Sequence, residues 1–269
     1  MKAILLFLSA VLMVALFGAC GTAVTGHDHL HRPVYQQKME LDGGAVKSLR
    51  PLPFLNNRQV YYWKYNDQIF TIDMPTDERL NEAYDSAKIN YRLNQGWSKF
   101  LDRLPNDTAV TSIARQLKVM AKLNDFSDSQ LAALTSSFVQ SLSYDFAEAK
   151  ALPELMNDQA LSLYKTPYQV LYQRRGICLD KSLLGIALLR ELGFGSALIV
   201  LSGHEHAAFG IKCESEYSTA PFSNYRYVEA TVSKDIGVLP LIMNGKKVDK
   251  ATIILEQDGK LYTGITTKN

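Results

Sequence analysis

Residues 174–195 read RRGICLDKSLLGIALLRELGFG, a stretch in which one cysteine stands directly ahead of a long leucine-rich run. Large apolar residues recur at helical spacing from Leu179 to Leu192, and further leucines and alanines widen the stripe. A helix that is this apolar belongs in a protein core rather than on its surface. The stretch therefore predicts a central helix, with Cys178 in the turn that opens it.

Capping patterns predict the helices that precede this one. Thr166–Gln169 has the capping-box pattern with proline at the first helical position, and we expect that short helix to end near Gly176. Ser127–Gln130 has the same pattern ahead of apolar residues at helical spacing. Two more helices are expected, one over about residues 108–122 and one that reads DERLNEAYDSAKI and is capped by Thr76.

Strand patterns lie on both sides of the helices. VYYWKY and QIFTIDM surround Asn66-Asp67 and predict a hairpin. Asn244-Gly245 and Asp258-Gly259 predict later hairpin turns around ATIILEQ and KLYTGI. Because helices come first and most strands follow, we expect an α+β fold. Three strands of one sheet are predicted after the central helix: SALIVLS (196–202), HAAFGIKC (206–213) and NYRYVEAT (224–231).

The overall composition excludes one class of partner. The chain has 269 residues, of which 47% are hydrophobic and 21% charged, as in a globular protein. Its formal net charge is only +2 at pH 7. Binding of nucleic acid through bulk charge needs a strongly basic protein, so we expect no nucleic-acid partner.

The first 19 residues have the layout of a secretory signal peptide, with Lys2, a short apolar run and small residues ahead of Cys20. The run is shorter than the roughly 20 apolar residues of a transmembrane helix. The segment LFGAC resembles the lipobox of bacterial lipoproteins, whose cysteine is acylated and becomes the mature N-terminus. This implies a lipid on Cys20 and a place in the bacterial cell envelope, at the outer membrane facing the periplasm because Gly21 is not aspartate. Plain secretion and an uncleaved anchor are the alternatives.

Residues 20–58 show no periodicity and predict a tether followed by irregular structure. His27, His29 and His31 lie in this tether and could bind a metal, since histidine-rich tracts sometimes do. A solvated linker without fixed geometry is the interpretation that we prefer. We therefore expect no metal and no organic cofactor.

The residues for cysteine chemistry are few, because only His204 and His206 lie outside the tether. The thiolate is the reactive form of cysteine, and a helix N-terminus and a neighbouring imidazolium lower its pKa from about 8.5 by several units. His206 starts a strand and has small residues on its face, whereas His204 is still in the turn. On the next strand, Glu229 is the acid best placed to orient the imidazole.

A buried packing role and a disulfide are the other interpretations of Cys178. In an oxidising compartment, a bridge to Cys213 would persist. Cys213 lies seven residues beyond His206, which is roughly 23 Å along a strand, whereas bridged Cα atoms lie within about 7 Å. If His206 contacts Cys178, Cys213 cannot, and we expect Cys213 to be a packed free thiol.

The order Gly-x-Cys-x-Asp at a helix start, His-Ala-Ala-Phe-Gly-Ile on a strand and Tyr-x-Tyr-x-Glu-Ala-Thr on the next resembles the transglutaminase-like, papain-related cysteine superfamily. The resemblance covers roughly residues 60–245 and implies a central helix, with the cysteine at its N-terminus, packed on an antiparallel sheet. By this resemblance Cys178 is the nucleophile, His206 the general base and Glu229 the orienting acid. The family's usual acid is aspartate in an Asp-Pro-Thr context, where this chain has Glu-Ala-Thr.

The resemblance extends to neighbouring positions, and FVQSLSYD (138–145) looks like an element that flanks the core in bacterial members. Asp180 matches an acid that we interpret as structural, binding the amides of the helix start. Ala208 stands where many members carry tryptophan, and this smaller residue is expected to open the site. For the oxyanion, the backbone N–H of Cys178 is the expected donor. Gln173 and Gln140 are our candidates for a second donor.

The implied activity is acyl transfer on amide bonds through a thioester, by a cysteine peptidase or amidase, or by a protein-glutamine acyltransferase if an amine accepts the acyl group. The expected partners are a protein or peptide substrate and the membrane that holds the lipid of Cys20. The alternative is a catalytically inactive transglutaminase-like module for binding or assembly in the envelope. The predicted division is a signal peptide (1–19), a tether and irregular segment (20–58), an N-terminal hairpin and helical extension (59–125), a transglutaminase-like core (126–245) and a C-terminal hairpin (246–269).

Overall fold

The structure is a computed structural model that describes residues 57–88, 96–151, 164–243, 245–248 and 250–264. The predicted signal peptide, Cys20 and the three tether histidines lie outside the described residues. Within those ranges, none of the helices has the length and apolar character needed to cross a membrane.

Helices and strands alternate along the described part of the chain, and short 3₁₀ turns cover Trp97–Leu101 and Ser215–Tyr217. The helices are α1 (Glu78–Lys88), α2 (Ala109–Leu123), α3 (Asp128–Ser141), α4 (Phe146–Ala151), α5 (Pro167–Gln173) and α6 (Cys178–Glu191). The strands are β1 (Arg58–Tyr65), β2 (Gln68–Pro75), β3 (Ser143–Tyr144), β4 (Arg175–Gly176), β5 (Ser196–Leu201), β6 (His206–Lys212), β7 (Tyr225–Val228), β8 (Ile242–Met243), β9 (Lys246–Lys247) and β10 (Ala251–Gln257).

Helix α6 is the centre of the fold, as its apolar sequence predicts. One side packs on β5 and β6, and α2, α3 and α5 cover the rest, so that Leu183, Ile186 and Leu189 have no exposed surface. Gly185 lets the helix lie directly on the sheet, because a Cβ atom there would lie 2.7 Å from the ring of Phe209. This close contact holds the middle of α6 against β6.

The central sheet has four strands in the order β10-β5-β6-β7, and each neighbouring pair is antiparallel. One face carries Phe209 and Ile211 into the core around α6. The opposite face builds a second apolar cluster that includes Ile199, Ala208 and Tyr227. The predicted α+β architecture of helices on an antiparallel sheet is confirmed.

The N-terminal hairpin of β1 and β2 is also confirmed. Asn66 and Asp67 form its turn with φ angles of 47° and 60°, the left-handed conformation of tight hairpin turns. The indole N–H of Trp63 donates to the Ser137 hydroxyl at 3.1 Å, and the Tyr61 hydroxyl donates to the carbonyl of Leu171 at 2.6 Å. These contacts fasten the hairpin to α3 and α5.

Both predicted capping boxes are present, at the starts of α3 and α5. The cap of α1 differs from the prediction. The side chain of Asp77, rather than Thr76, accepts a hydrogen bond from the N–H of Arg79 at 2.9 Å. Thr76 donates its own N–H to the carbonyl of Asn57, so it belongs to the end of the hairpin and α1 starts one residue later.

The end of α5 also differs from the prediction. Arg174, with φ of 57°, closes α5, and Gly176 lies in β4, where it pairs in parallel with Tyr144 of β3. Gly176 is needed there for space, since a Cβ atom would lie 2.9 Å from the Cβ of Asp180. Because β4 pairs with β3, α5 ends before Arg175, and Arg174 rather than a glycine takes the left-handed conformation.

The C-terminal segment corrects a third expectation. β8 and β9 form a hairpin as predicted, but the turn at Asp258-Gly259 joins no hairpin. β10 pairs with β5 as an outer strand of the central sheet, and Lys260 and Tyr262 then make bridges to Phe194 and Cys213. The apolar residues of β10 gain more burial on the existing sheet than in an isolated two-stranded hairpin.

Candidate active site

Cys178 is the first residue of α6, as predicted, and its side chain is partly exposed at the edge of the core. Asp180, two residues later, holds the helix start together. Its carboxylate accepts the N–H of Ile177 at 3.0 Å and the N–H of Lys165 at 3.0 Å. The structural role predicted for Asp180 is therefore confirmed, and it joins the start of α6 to the segment that leads into α5.

His206 is the first residue of β6, and it connects Cys178 to Glu229. The Nε2 atom of His206 lies 3.0 Å from one carboxylate oxygen of Glu229 and 3.2 Å from the other. The ring also makes a side-chain hydrogen bond with Cys178. Sulfur, imidazole and carboxylate thus form one chain of contacts.

Glu229 follows the last residue of β7 and is only 5% exposed. Besides His206, its carboxylate accepts the Tyr227 hydroxyl at 2.8 Å. The N–H and the hydroxyl of Thr231 bind the other oxygen at 2.9 and 2.7 Å. These donors hold the longer glutamate side chain in place, so the extra methylene relative to aspartate does not prevent contact with the imidazole.

The electrostatics of the three groups are coupled. Burial alone would lower the pKa of His206, but the hydrogen bonds and negative charges of Cys178 and Glu229 outweigh burial and raise it to about 10. Burial likewise opposes ionisation of Glu229, yet the bonds and charge of His206 and the two bonds from Thr231 lower its pKa to about 2. This environment favours an imidazolium between two acidic groups at neutral pH.

Lys181 is a buried cation that sequence reasoning missed. Its ammonium donates to the carbonyls of Gln140 and Leu142 at 3.3 and 2.7 Å, which satisfies the C-terminal end of α3. Burial lowers its pKa to about 8, and only the charge of Glu229 opposes that change. Lysine inside an apolar helix normally predicts an exposed face, so this sequence contains no signal for the contact.

Tyr144 is the second residue that sequence reasoning missed. Its hydroxyl accepts a hydrogen bond from the backbone N–H of Cys178, and burial together with the negative charge at Cys178 raises the pKa of this phenol. The only sequence signal was the general likeness of FVQSLSYD (138–145) to elements that flank the core in bacterial members of the superfamily.

Of the two glutamines that we considered as oxyanion donors, Gln140 is engaged elsewhere. The side-chain amide of Gln140 donates to the carbonyls of Glu229 and Lys234, both at 2.9 Å, and so ties α3 to the segment after β7. Both of its N–H groups are therefore in use. Gln173 ends α5, and its role as a donor stays a prediction.

The two remaining predictions about this strand have different outcomes. His204 stays in the turn, where its ring nitrogens lie 3.3 and 3.1 Å from the carbonyls of Met243 and Lys247. Ala208 does not open the site, because it is fully buried in the cluster on the far face of the sheet. The small residue makes room for aromatic packing behind the sheet rather than for a substrate.

Cys213 is a free thiol, as is Cys178, so no disulfide joins them. Cys213 is 2% exposed, and burial raises its pKa to about 11. In the described ranges no three His, Cys, Asp or Glu side chains converge as a metal ion would require.

A cysteine at the N-terminus of a central helix, with a histidine and a carboxylate on the adjoining antiparallel sheet, is the arrangement that the sequence resemblance implies. Residues 109–219 match the family model described as a transglutaminase-like domain. The matched stretch contains Cys178 and His206 and stops before Glu229. Over these residues the chain is thus similar to a transglutaminase-like domain.

Solved structures show weak overall similarity. One is a crystal structure of a TGase, with 14% sequence identity and a TM-score of 0.37, over 66% of this chain and 46% of that chain. Another is a candidate cysteine protease from Cytophaga hutchinsonii, with 16% identity and a TM-score of 0.29, over 74% of this chain and 73% of that chain. The chain therefore spans about half the length of the TGase chain. No curated protein matches the sequence.

Proposed function

We propose that this protein is a cysteine peptidase or amidase of the cell envelope, held to the membrane by a lipid on Cys20. Cys178 is the nucleophile, His206 the general acid and base, and Glu229 the group that orients the imidazole. The observation that supports the proposal is the single imidazole that contacts both the Cys178 side chain and the buried Glu229 carboxylate.

The reaction that fits these groups is acyl transfer through a thioester. The sulfur of Cys178, as a thiolate, attacks the carbonyl carbon of a substrate amide, and the carbonyl electron pair moves onto oxygen. When that pair returns, the C–N bond breaks, and the leaving nitrogen takes a proton from the His206 imidazolium. Neutral His206 then removes a proton from water, whose oxygen attacks the thioester and releases a carboxylic acid and Cys178.

Water is the proposed acceptor because Cys178 is partly exposed and the His206 side chain keeps 13% of its surface in solvent. An amine that reached the same thioester would instead form a new amide, which is the protein-glutamine acyltransferase reaction. The substrate class is a protein or peptide. Cleavage of fluorescently labelled casein, compared with incorporation of a fluorescent alkylamine into casein, distinguishes the two outcomes.

Alkylation with iodoacetamide at pH 6 tests the chemical core of the proposal. In the full-length protein, Cys178 should react at least 10-fold faster than a free thiol, because an adjacent imidazolium favours the thiolate. His206→Ala should remove this excess. Reaction at Cys178 and at Cys213 is followed by mass spectrometry of peptides, so the buried Cys213 is an internal control in every sample.

The alternative function makes the opposite prediction. In an inactive module that only binds or assembles, Cys178 would react no faster than glutathione at pH 6, with or without His206. That result would contradict the enzymatic proposal even if the protein binds envelope components.

A further inference from the structure

The backbone N–H of Cys178 is the natural first donor for an oxyanion in the proposed reaction. Cys178 is the first residue of α6, so its N–H has no acceptor within the helix. In the described part of the chain, its partner is the hydroxyl oxygen of Tyr144. That oxygen therefore occupies the place where a substrate carbonyl oxygen would meet this N–H.

The main chain holds Tyr144 firmly beside the nucleophile. Tyr144 pairs with Gly176, two residues before Cys178, in the short parallel ladder of β3 and β4. On one side the N–H of Ser143 donates to the carbonyl of Arg174 at 3.1 Å, and on the other the N–H of Asp145 donates to the carbonyl of Gly176 at 3.2 Å. The strand that carries Tyr144 is thus tied to the segment that leads into α6.

Side-chain contacts support the same placement. The ring of Tyr144 packs edge-on against Phe146, with centroids 4.9 Å apart. The intervening Asp145 is 6% exposed and binds the ammonium of Lys165 at 3.2 Å and the guanidinium of Arg175 at 3.1 Å. Because Asp145 is anchored on both sides, the backbone around Tyr144 has little freedom to move away from Cys178.

The chemistry of a tyrosine hydroxyl suits this position. Burial and the negative charges at Cys178, Asp180 and Glu229 raise its pKa, so the phenol keeps its proton over the working pH range. A neutral phenol can accept a hydrogen bond from an N–H and can also donate one. A preorganised donor directed at a developing oxyanion is typically worth about 100-fold or more in rate.

We infer that Tyr144 is a catalytic residue, the second oxyanion donor beside the backbone N–H of Cys178. In the free protein its oxygen accepts that N–H. When a substrate carbonyl oxygen takes this place, the Tyr144 O–H donates to it. The inference rests on the proposed acyl transfer, in which sulfur attack moves the carbonyl electron pair onto oxygen. Tyr144 stabilises that charge through its hydrogen bond and transfers no proton.

Acylation by p-nitrophenyl acetate in full-length protein tests the inference, because attack on this ester forms an oxyanion whereas alkylation by iodoacetamide does not. The Tyr144→Phe variant should release the first equivalent of p-nitrophenolate about 100-fold more slowly than wild type. Its rate with iodoacetamide at pH 6 should stay within about twofold of wild type. Tyr164→Phe is the matched control, since this tyrosine also lies near Cys178, and both rates should remain at wild-type values.

Three results would overturn the inference. A Tyr144→Phe variant that acylates at the wild-type rate or faster has lost no oxyanion donor, and a faster rate would identify the hydroxyl as a block. Equal slowing of both reactions would mean that Tyr144 only positions Cys178. Absence of both the burst and the fast alkylation in wild type would refute the proposed function itself, and the role of Tyr144 with it.

Discussion

The start of α6 and the end of β6 each carry a free cysteine, in opposite surroundings. Cys178 begins α6, is partly exposed and contacts His206. Cys213 follows β6, is 2% exposed, and donates its N–H to the carbonyl of Asn224 at 2.9 Å while Tyr262 bridges to it. Burial raises the pKa of Cys213 to about 11. Residue type alone therefore says little about a thiol, whose chemistry depends on the groups around it.

The same contrast separates the two histidines of this region. They are two residues apart, yet His204 contacts only backbone carbonyls of the β8–β9 segment among the partners that the structure describes, whereas His206 contacts a thiol and a carboxylate. Both regions are well packed. What distinguishes the proposed active site is that a helix start and a strand start meet there with an ionisable group on each.

Exchanging the two histidines in turn for alanine gives the largest expected effect. His206→Ala should slow acylation by p-nitrophenyl acetate about 1,000-fold, because general acid–base catalysis contributes between about 100- and 10,000-fold. His204→Ala should lower stability through the lost turn contacts and leave acylation within about 10-fold. Stopped-flow release of p-nitrophenolate measures both. Similar losses in the two variants would show that the contrast between the histidines is wrong.

Replacing the orienting acid gives the next largest effect. Glu229→Gln retains the shape of the side chain but removes its charge, and the pKa of His206 should fall towards its ordinary value. We expect acylation to slow about 100-fold. In the pH profile of iodoacetamide alkylation, the upper limit of the range of fast reaction should move to lower pH. Glu256→Gln, on β10, is the control and should keep the wild-type profile. An unchanged pH profile in Glu229→Gln would show that this carboxylate does not influence His206 and Cys178.

The lowered pKa of Glu229 predicts a pH dependence of stability. A carboxyl whose folded-state pKa lies below its unfolded value stabilises the protein above the unfolded value, and this contribution is lost as pH falls. Between about pH 4.5 and about pH 2, wild type should lose about 2 kcal/mol more unfolding free energy than Glu229→Gln does. Urea titrations at several pH values measure this, with the exposed Glu216→Gln as control. Parallel curves for wild type and Glu229→Gln would contradict the assigned shift.

The raised pKa of His206 predicts a loss of stability on the alkaline side. Its stabilising contribution is fully present below the ordinary histidine pKa of about 6.5 and should be lost as pH rises towards about 10. In the same urea titrations, the unfolding free energy of His206→Asn should therefore fall less than that of wild type as pH rises. If Glu229→Gln keeps the acid loss of stability and His206→Asn keeps the alkaline loss, other groups control the pH dependence of folding.

The smallest effect is expected at the other cysteine. Cys213→Ala removes a buried sulfur and should cost about 1 kcal/mol of unfolding free energy, with acylation within about twofold of wild type. Cys178→Ala should cost less stability than Cys213→Ala, since Cys178 is only partly buried. A loss of acylation in Cys213→Ala would mean that the two regions are coupled.

Much of the local structure could be predicted because it depends on neighbouring residues. The capping boxes at Ser127 and Thr166 and the turn at Asn66-Asp67 are interactions within a few residues. The incorrect predictions have a common cause. Glycine, as at position 176, is typical of a helix cap, but the pairing of Gly176 with Tyr144, 32 positions away, moves it into a strand. β10 has the composition of a hairpin strand, but the open edge of β5 binds it instead.

The sequence by itself determined the central helix, the position of Cys178 at its start and the order of cysteine, histidine and acid, because periodicity and capping are local properties. Only the tertiary structure decided that Glu229 reaches His206 with support from Tyr227 and Thr231, and that Tyr144 binds the N–H of Cys178. The physical reason is that hydrogen bonds with partners in separate elements depend on how those elements pack. The close contact of Gly185 with the ring of Phe209 likewise depends on the folded core rather than on a local sequence pattern.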